Sequence, residues 1–287
     1  MNITKCPNRV APVRRALISR SKGLVVSIAL VLLGFYVVRC GSDRPANLDV
    51  RAYIRLAKEC VFRLRFTDGT SAGSGFMIND LGNMLTCAHV VDSSKDNSRK
   101  YVDSLLAENF VTVTFGSDTP FQDIITSNVS VDTVIRELDL AILTVDLTRP
   151  KFRKIKKLGS SRGRPLFMGF SNSDSIWEGQ EVFACAYIRD EFRIPKPVIV
   201  KGVVSTVRDD VYDARFNNKV DIVQLDMNVS KGNSGAPIFL PENGRVVGII
   251  DWGIFRGSKW QTGYAVALST NQIVEKLREL RIPLDFK

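Results

Sequence analysis

After residue 58 the chain is a succession of short apolar and β-branched runs separated by turn signals. ECVFRLRF alternates apolar and charged residues before Asp68-Gly69, and Asn243-Gly244 separates APIFL from RVVGIID, which is a strong hairpin signal. Segments of this length and spacing are typical of β-barrels and β-sandwiches. The other runs read as strands are SGFMI, NMLTCAHVV, VTVTFG, LDLAILTVDL, QEVFACAYI, PVIVKGVVSTV, VDIVQLDM and GYAVAL.

A single helix is expected at the C-terminal end of this region, over residues 271–282. The segment NQIVEKLREL places Ile273, Leu277 and Leu280 at helical intervals. Ser269, three residues before Gln272, predicts a capping box at its start. The sequence therefore predicts an all-β domain followed by one helix.

An apolar run of 16 residues, GLVVSIALVLLGFYVV, precedes this domain and lies between Lys22 and Arg39. As a helix it would be about 24 Å long, against about 30 Å for a hydrocarbon core, and the two flanking cations can snorkel to cover the difference. We therefore predict a basic tail over residues 1–22, a single transmembrane anchor over 23–39 and a linker over 40–57. The alternatives are a cleaved signal peptide, for which Tyr36–Arg39 offers no small-x-small site, and a buried core helix.

The positive charge of the chain is concentrated in this N-terminal segment. The 287 residues carry 40 Lys+Arg and 30 Asp+Glu, a net charge of +10, but residues 1–40 hold seven bases and no acid. The remainder therefore has 33 bases against 30 acids, or +3. We expect no nucleic-acid partner. Six of the bases precede the apolar run, which favours a cytoplasmic N-terminus and an extracytoplasmic body, on the periplasmic or extracellular side.

The five cysteines and one histidine exclude several classes of site. The sequence contains no C-x-x-C and no H-E-x-x-H, and it has no second histidine, so neither a zinc site nor a haem attachment site is predicted. Neither G-x-x-x-x-G-K-[ST] nor G-x-G-x-x-G occurs, so nucleotide binding has no motif. We expect no metal and no organic cofactor, and buried, unpaired thiols at Cys87 and Cys185.

Three residues stand out as candidates for chemistry. His89, the only histidine, ends a predicted strand; Ser234 lies between glycines in KGNSGAP, where a tight turn can aim N–H groups at an oxyanion; Asp139 interrupts an apolar run. Each has an ordinary alternative: a structural histidine, a polar loop, and an aspartate facing solvent, with Asp146 as a competing acid. The order His, Asp, Ser excludes an α/β-hydrolase, in which the serine comes first, and matches chymotrypsin-like double barrels.

The blocks GSGFMI, TCAHVV, LDLAIL and KGNSGAP together resemble the trypsin-like serine peptidases of the HtrA (Do/Deg) type, over about residues 58–282. The resemblance implies a chymotrypsin-like double β-barrel within a domain at 58–287, with barrels at about 58–148 and 165–268. It implies His89 as general base, Asp139 as its orienting acid and Ser234 as nucleophile. The backbone N–H groups of Gly232 and Ser234 would form the oxyanion hole.

The sequence departs from the family pattern in three respects. Ala236 stands where these enzymes usually carry a second glycine after the serine, and Cys87 occupies a position that is usually small and apolar. We also expect no PDZ domain, because the sequence given stops soon after the predicted helix.

The substrate pocket is less specified than the proposed triad. Asn228 is expected near the base of the S1 pocket, and a wall beside the substrate strand is expected from Ile250, Asp251, Trp252 and Gly253. Gly263 is a further candidate for substrate binding. The resemblance implies small or aliphatic residues at P1, unless Asp251 or Asp226 points into the pocket.

The expected function is that of a serine endopeptidase acting on proteins or peptides at a membrane, in quality control or regulated proteolysis. The alternative is a membrane-tethered pseudoprotease that binds partners as a scaffold. HtrA-type enzymes are often trimers, but the sequence identifies no residues for such contacts, so the oligomeric state is left open.

Overall fold

The computed structural model describes residues 50–66, 71–91, 111–115, 125–126, 129–148, 167–188, 196–214, 217–256 and 259–287. The predicted tail, anchor and most of the linker, residues 1–49, lie outside these ranges. None of the helices within them has the length and apolarity needed to cross a membrane. Residues 49–287 cluster as one compact unit.

The described elements are mostly antiparallel strands, as the sequence predicts. The strands are β1 (Val61–Phe66), β2 (Ser71–Met77), β3 (Asn83–Cys87), β4 (Val111–Phe115), β5 (Ile125–Thr126), β6 (Val129–Ile135), β7 (Leu140–Val145), β8 (Glu181–Ala186), β9 (Val198–Asp213), β10 (Asn218–Met227), β11 (Pro237–Phe239), β12 (Val246–Arg256) and β13 (Lys259–Ser269). The α-helices among the described residues are α1 (Val50–Cys60), α2 (Ala88–Val91) and α3 (Thr270–Glu279).

The first half of the unit is a seven-stranded sheet in the order β5-β4-β1-β2-β3-β7-β6. Its core includes Phe62 and Leu64 of β1, Phe76 of β2 and Leu85 of β3. A closed first barrel was expected; over the described residues the hydrogen-bonded ladder runs from β5 to β6, and closure of this half stays a prediction. Strand β6 was missed in the sequence because its polar residues outnumber its buried ones.

The second half is a closed barrel in the order β10-β13-β12-β11-β8-β9, which confirms the barrel predicted there. Asn243-Gly244 does connect β11 to β12, but through a longer turn than the two-residue hairpin that the dipeptide signals. The Leu240 N–H donates to the Arg245 carbonyl, and the Gly244 N–H donates to the Leu240 carbonyl. Gly244 adopts a positive φ of 69°, and a Cβ there would lie 2.5 Å from the Tyr53 ring.

Helix α1 belongs to the folded unit, which corrects the expected linker at 40–57. Ala57 and Cys60 on this helix are fully buried, and Tyr53, Ile54 and Leu56 pack against the same core. The folded unit therefore begins before residue 58, because one face of the helix is needed to cover the sheet.

Helix α3 lies close to its predicted position but begins without the expected capping box. The Ser269 hydroxyl shares a hydrogen bond with the Ser173 hydroxyl (2.7 Å), and the Gln272 side chain accepts the Asp221 N–H (3.1 Å). Both side chains are thus used by tertiary contacts instead of the helix end. The helix stops at Glu279, so Leu280 lies beyond it.

Candidate active site

Asp139 is held in an unusual backbone conformation directly before β7. It follows a 3₁₀ turn (Arg136–Leu138) and has a φ of 48°, a left-handed geometry that aspartate tolerates better than most residues. Its carbonyl accepts the Ala88 N–H at 2.8 Å. The TCAHVV segment, expected to be one strand, therefore ends as a strand at Cys87 and turns into α2, which carries His89.

The carboxylate of Asp139 makes two hydrogen bonds to His89. Oδ1 accepts the backbone N–H at 2.9 Å, and Oδ2 lies 2.6 Å from Nδ1 of the ring. Asp139 is buried, while 44% of the His89 side chain is exposed. With the proton on Nδ1 facing the carboxylate, Nε2 is left as the basic nitrogen of the ring.

The ionised form of Asp139 is favoured despite its burial. Burial acts to raise its pKa, but the hydrogen bonds and charge of His89, together with a side-chain hydrogen bond from Asp251, outweigh burial and hold the pKa below its ordinary value. An ionised Asp139 can therefore stabilise a positive charge on the imidazole.

The loop that carries Ser234 needs its glycines. Gly232 and Gly235 adopt φ values of 99° and 85°, and a Cβ on Gly235 would lie 2.1 Å from the Ser74 carbonyl oxygen. Between them, the buried Asn233 side chain accepts the N–H and the hydroxyl of Ser230, at 3.0 and 2.9 Å. The tight turn predicted from KGNSGAP is therefore present.

Ser74 of β2 joins this loop to the first half of the unit. Its N–H donates to the Ser234 carbonyl (2.9 Å), and its hydroxyl donates to the Gly232 carbonyl (2.7 Å) and accepts the Tyr187 N–H (2.8 Å). Ser74 is fully buried. Sequence reasoning did not identify it as a site residue; its place in the GSGF block was the available signal.

Asp251 is the residue that both Ser234 and His89 contact. The Ser234 hydroxyl donates to the Asp251 carbonyl at 3.2 Å, while Oδ1 of Asp251 lies 3.9 Å from His89 Nδ1. The structure thus brings His89, Asp139 and Ser234 around one residue of β12, from three separate segments of the chain.

The residues expected to form the substrate pocket are placed differently from one another. Ile250 is buried in the core of the second barrel, and Asp251 turns its buried side chain toward His89, so neither side chain forms an exposed wall. Asn228 and Asp226 are exposed at the end of β10. Trp252 and Gly253 pair with Val266 and Ala265, and Gly263, with a φ of 97°, lies on the neighbouring strand β13.

The structure also groups side chains that could contact a cation, which no motif in the sequence indicates. One donor atom from each of Cys87, His89, Asp139 and Asp251 lies within 4.8 Å of the others. The Cys87 thiol donates to the Ile250 carbonyl at 3.3 Å, and Asp139 is bonded to His89. These groups bond to the protein and to one another, so the arrangement is a hydrogen-bonded network and not a set of open ligands.

Comparison with known proteins agrees with this geometry. The family model of the trypsin-like peptidase domain matches residues 73–249. The chain is 26% identical over 179 residues to Protease Do-like 1, chloroplastic, of Arabidopsis thaliana, covering 62% of the chain and 32% of that protein. It is 26% identical over 211 residues to a probable periplasmic serine endoprotease DegP-like of Rickettsia prowazekii, covering 72% of the chain and 33% of that protein. The chain thus spans about a third of the length of these curated relatives.

Solved structures share the fold at lower identity. The active form of the Rv3671c protease from M. tuberculosis superimposes with a TM-score of 0.55 and 19% identity, over 82% of this chain and 86% of that one. The HtrA-type protease AlgW with a tripeptide superimposes with a TM-score of 0.58 and 21% identity, over 81% of this chain and 63% of that one.

The match to the family model covers more than half of the chain and includes all three candidate residues. It confirms the predicted enzyme class, that of trypsin-like serine endopeptidases with HtrA-like relatives. The chain belongs to the trypsin-like peptidase domain family.

Proposed function

We propose that the chain is an HtrA-like serine endopeptidase whose catalytic residues are His89, Asp139 and Ser234. The observation that carries this proposal is the 2.6 Å contact between His89 Nδ1 and Asp139 Oδ2, formed by a buried carboxylate and an exposed imidazole beside the Ser234 loop. This arrangement presents a correctly oriented base at the surface of a protease fold.

The reaction follows from the protonation states of these groups. His89 Nε2 takes the Ser234 proton as the hydroxyl oxygen attacks a peptide carbonyl, and the resulting imidazolium gives a proton to the leaving amine. Water then attacks the acyl-enzyme with His89 again as base, which releases the acid and restores Ser234. Asp139 remains ionised throughout and stabilises the imidazolium.

Ser234 must change its hydrogen bond for this reaction to begin. In the structure its hydroxyl donates to the Asp251 carbonyl, so a rotation about its side-chain torsion is required before it can donate to His89. The oxyanion would be bound by the N–H groups of Gly232 and Ser234. Ser74 holds the carbonyl of Gly232 and so supports that loop.

The substrates we propose are proteins or peptides with small or aliphatic P1 residues, cleaved near a membrane surface. The residue run 23–39, with its flanking cations, supports a single anchor with the peptidase domain on the extracytoplasmic side. Quality control or regulated proteolysis is the role we propose for such an enzyme.

Cleavage of an unfolded protein substrate by the full-length chain tests this proposal. Wild type should produce fragments, and Ser234→Ala and His89→Ala should each lower the rate by about 10⁴-fold. Ser175→Ala changes an exposed serine that is distant in sequence from Ser234. It is the control and should cleave like wild type. A folded wild-type protein that does not cleave, but binds the substrate as tightly as Ser234→Ala does, would instead indicate a protein-binding pseudoprotease.

A further inference from the structure

Asp251 lies at an irregularity in β12 that determines where its side chain points. Ile250 pairs with Ala267 and Trp252 with Val266, so Asp251 is an extra residue on its strand, a β-bulge. Bulges redirect a side chain relative to the regular alternation of the strand. Here the redirected carboxyl group is only 5% exposed and faces His89 and Asp139.

We propose that Asp251 is a positioning residue of the site, which keeps its carboxylic acid proton at neutral pH and donates it in a hydrogen bond to Asp139. This inference deepens the proposed function, because it concerns the acid that orients the general base. It makes Asp139 and Asp251 a pair of buried carboxyl groups that holds one proton.

The proton is required by electrostatics. Two carboxyl groups that are both buried, with oxygen atoms within 4.8 Å of each other, cannot both be ionised at ordinary cost, because their repulsion adds to the loss of hydration. In pairs of this kind the two carboxyl groups share one proton.

The contacts assign the proton to Asp251. Asp139 accepts the backbone N–H and the ring N–H of His89, at 2.9 and 2.6 Å, and both favour its ionised form. Asp251 Oδ1 lies 3.9 Å from the same ring nitrogen, which is beyond hydrogen-bond distance. Among the described residues, Cys87 on β3, His89 on α2 and Asp139 before β7 each place a ligand atom within 4.8 Å of Asp251.

The consequence is that His89 faces one negative charge instead of two. A second carboxylate at 3.9 Å would add to the stabilisation of the imidazolium, so that the ring would hold its proton more tightly when it must act as a base. The proton on Asp251 therefore keeps His89 basic and available.

Infrared spectroscopy on full-length Ser234→Ala protein tests the proton directly and needs no activity. At pH 7.5, where ordinary carboxyl groups are ionised, we expect the carbonyl stretching band of one protonated carboxyl group. The band should persist in Ser234→Ala/Asp174→Asn, a change at an exposed aspartate, and disappear in Ser234→Ala/Asp251→Asn. Absence of the band, its persistence without Asp251, or its appearance only after a chelator removes a bound cation would each overturn the proposal.

The pH dependence of kcat/KM supplies a second test, which rests on the proposed peptidase function. Asp251→Asn keeps a neutral donor, so the acidic limb of its pH profile should titrate within about 0.5 pH unit of wild type. An acidic limb that is lower by a unit or more in Asp251→Asn would show that Asp251 is ionised in wild type and would overturn the proposal. Asp251→Ala, which has no donor, should lose about tenfold in kcat with KM unchanged.

Discussion

The carboxylate of Asp139 orients His89. Its ionised form is more stable in the folded protein than in the unfolded protein. Asp139→Asn keeps the shape of the side chain but removes its charge, so the His89 ring can adopt the wrong tautomer. We expect a loss of about 10⁴-fold in kcat, measured with a peptide substrate at pH 7.5.

The same variant should change the acid stability of the protein. The pKa of Asp139 is lower in the folded than in the unfolded protein, so its contribution to stability is present above about pH 3.9 and is lost as the pH falls toward the folded pKa. The gap in unfolding free energy between wild type and Asp139→Asn should therefore narrow between pH 6 and pH 3 in urea titrations. For Asp174→Asn, the difference in unfolding free energy from wild type should not narrow. A difference that stays constant with pH for Asp139→Asn would contradict the lowered pKa of Asp139.

Ser74 connects the two halves of the unit through its side chain. Ser74→Ala would leave the buried Gly232 carbonyl and Tyr187 N–H without this hydroxyl, which should cost about 1–3 kcal/mol of stability. Because the displaced loop carries Ser234, kcat should also fall by between about 10- and 100-fold.

A matched control for Ser74→Ala is available next to it. The Thr86 hydroxyl is equally buried and donates to the Ser74 carbonyl at 2.7 Å, whereas it is the Ser74 hydroxyl that donates to the Gly232 carbonyl. Thr86→Val should lose comparable stability with kcat changed less than about threefold. Equal kcat losses in the two variants would mean that Ser74 acts only through general stability.

At the scale of elements, the Ser234 loop depends on the close approach of β2. Gly235→Ala would place a Cβ 2.1 Å from the Ser74 carbonyl oxygen at a φ of 85°, whereas Gly179 has a similar φ of 91° with nothing within 4 Å of a Cβ. Gly179→Ala should therefore cost about 1–2 kcal/mol from backbone strain alone. Gly235→Ala should cost more and abolish cleavage; equal thermal shifts in the two variants would contradict the close packing described here.

The sequence predicts elements well where the pattern is local. The strands of the second half and α3 follow from alternation and helical spacing, and both are present. The failures lie where tertiary contacts decide: α2 begins at Ala88, whose N–H donates to the Asp139 carbonyl, and Ser269 bonds to Ser173 instead of capping its helix. The sequence does not predict the bulge that redirects Asp251, because the bulge arises from the register between β12 and β13.

At the scale of the molecule, buried thiols make the free energy of unfolding depend on pH in the alkaline range. Cys60, Cys87 and Cys185 are buried thiols, and burial was predicted for Cys87 and Cys185. Burial raises the pKa of both Cys60 and Cys185, so these thiols stay neutral in the folded protein. Their contribution to stability is complete below about pH 8.5, where an unfolded thiol is also neutral, and is lost as the pH rises above it.

Denaturation at pH 7 and pH 10 tests this linkage. Wild type should lose more stability over this interval than a Cys60→Ala/Cys185→Ala variant, although the variant starts less stable because it lacks two core side chains. Alkylation of both thiols should require unfolding. Rapid modification of the native protein at pH 8 would show that they are accessible.

The family match and the site geometry apply to the peptidase domain, and the N-terminal anchor remains a prediction. The three candidate catalytic residues were chosen from the sequence because His89 is the only histidine and Asp139 and Ser234 stand in distinctive local settings. Asp251 and Ser74 acquire roles only through contacts between segments far apart in the chain, so their roles could not be read from spacing.

Covalent labelling with a fluorophosphonate tests the central claim, a serine activated by His89, most directly. We predict that the full-length protein is labelled at a single residue, which peptide mass spectrometry locates at Ser234, and that both Ser234→Ala and His89→Ala abolish the adduct. Ser175→Ala should be labelled like wild type. An adduct at another residue, or labelling of Ser234 that survives His89→Ala, would contradict the account.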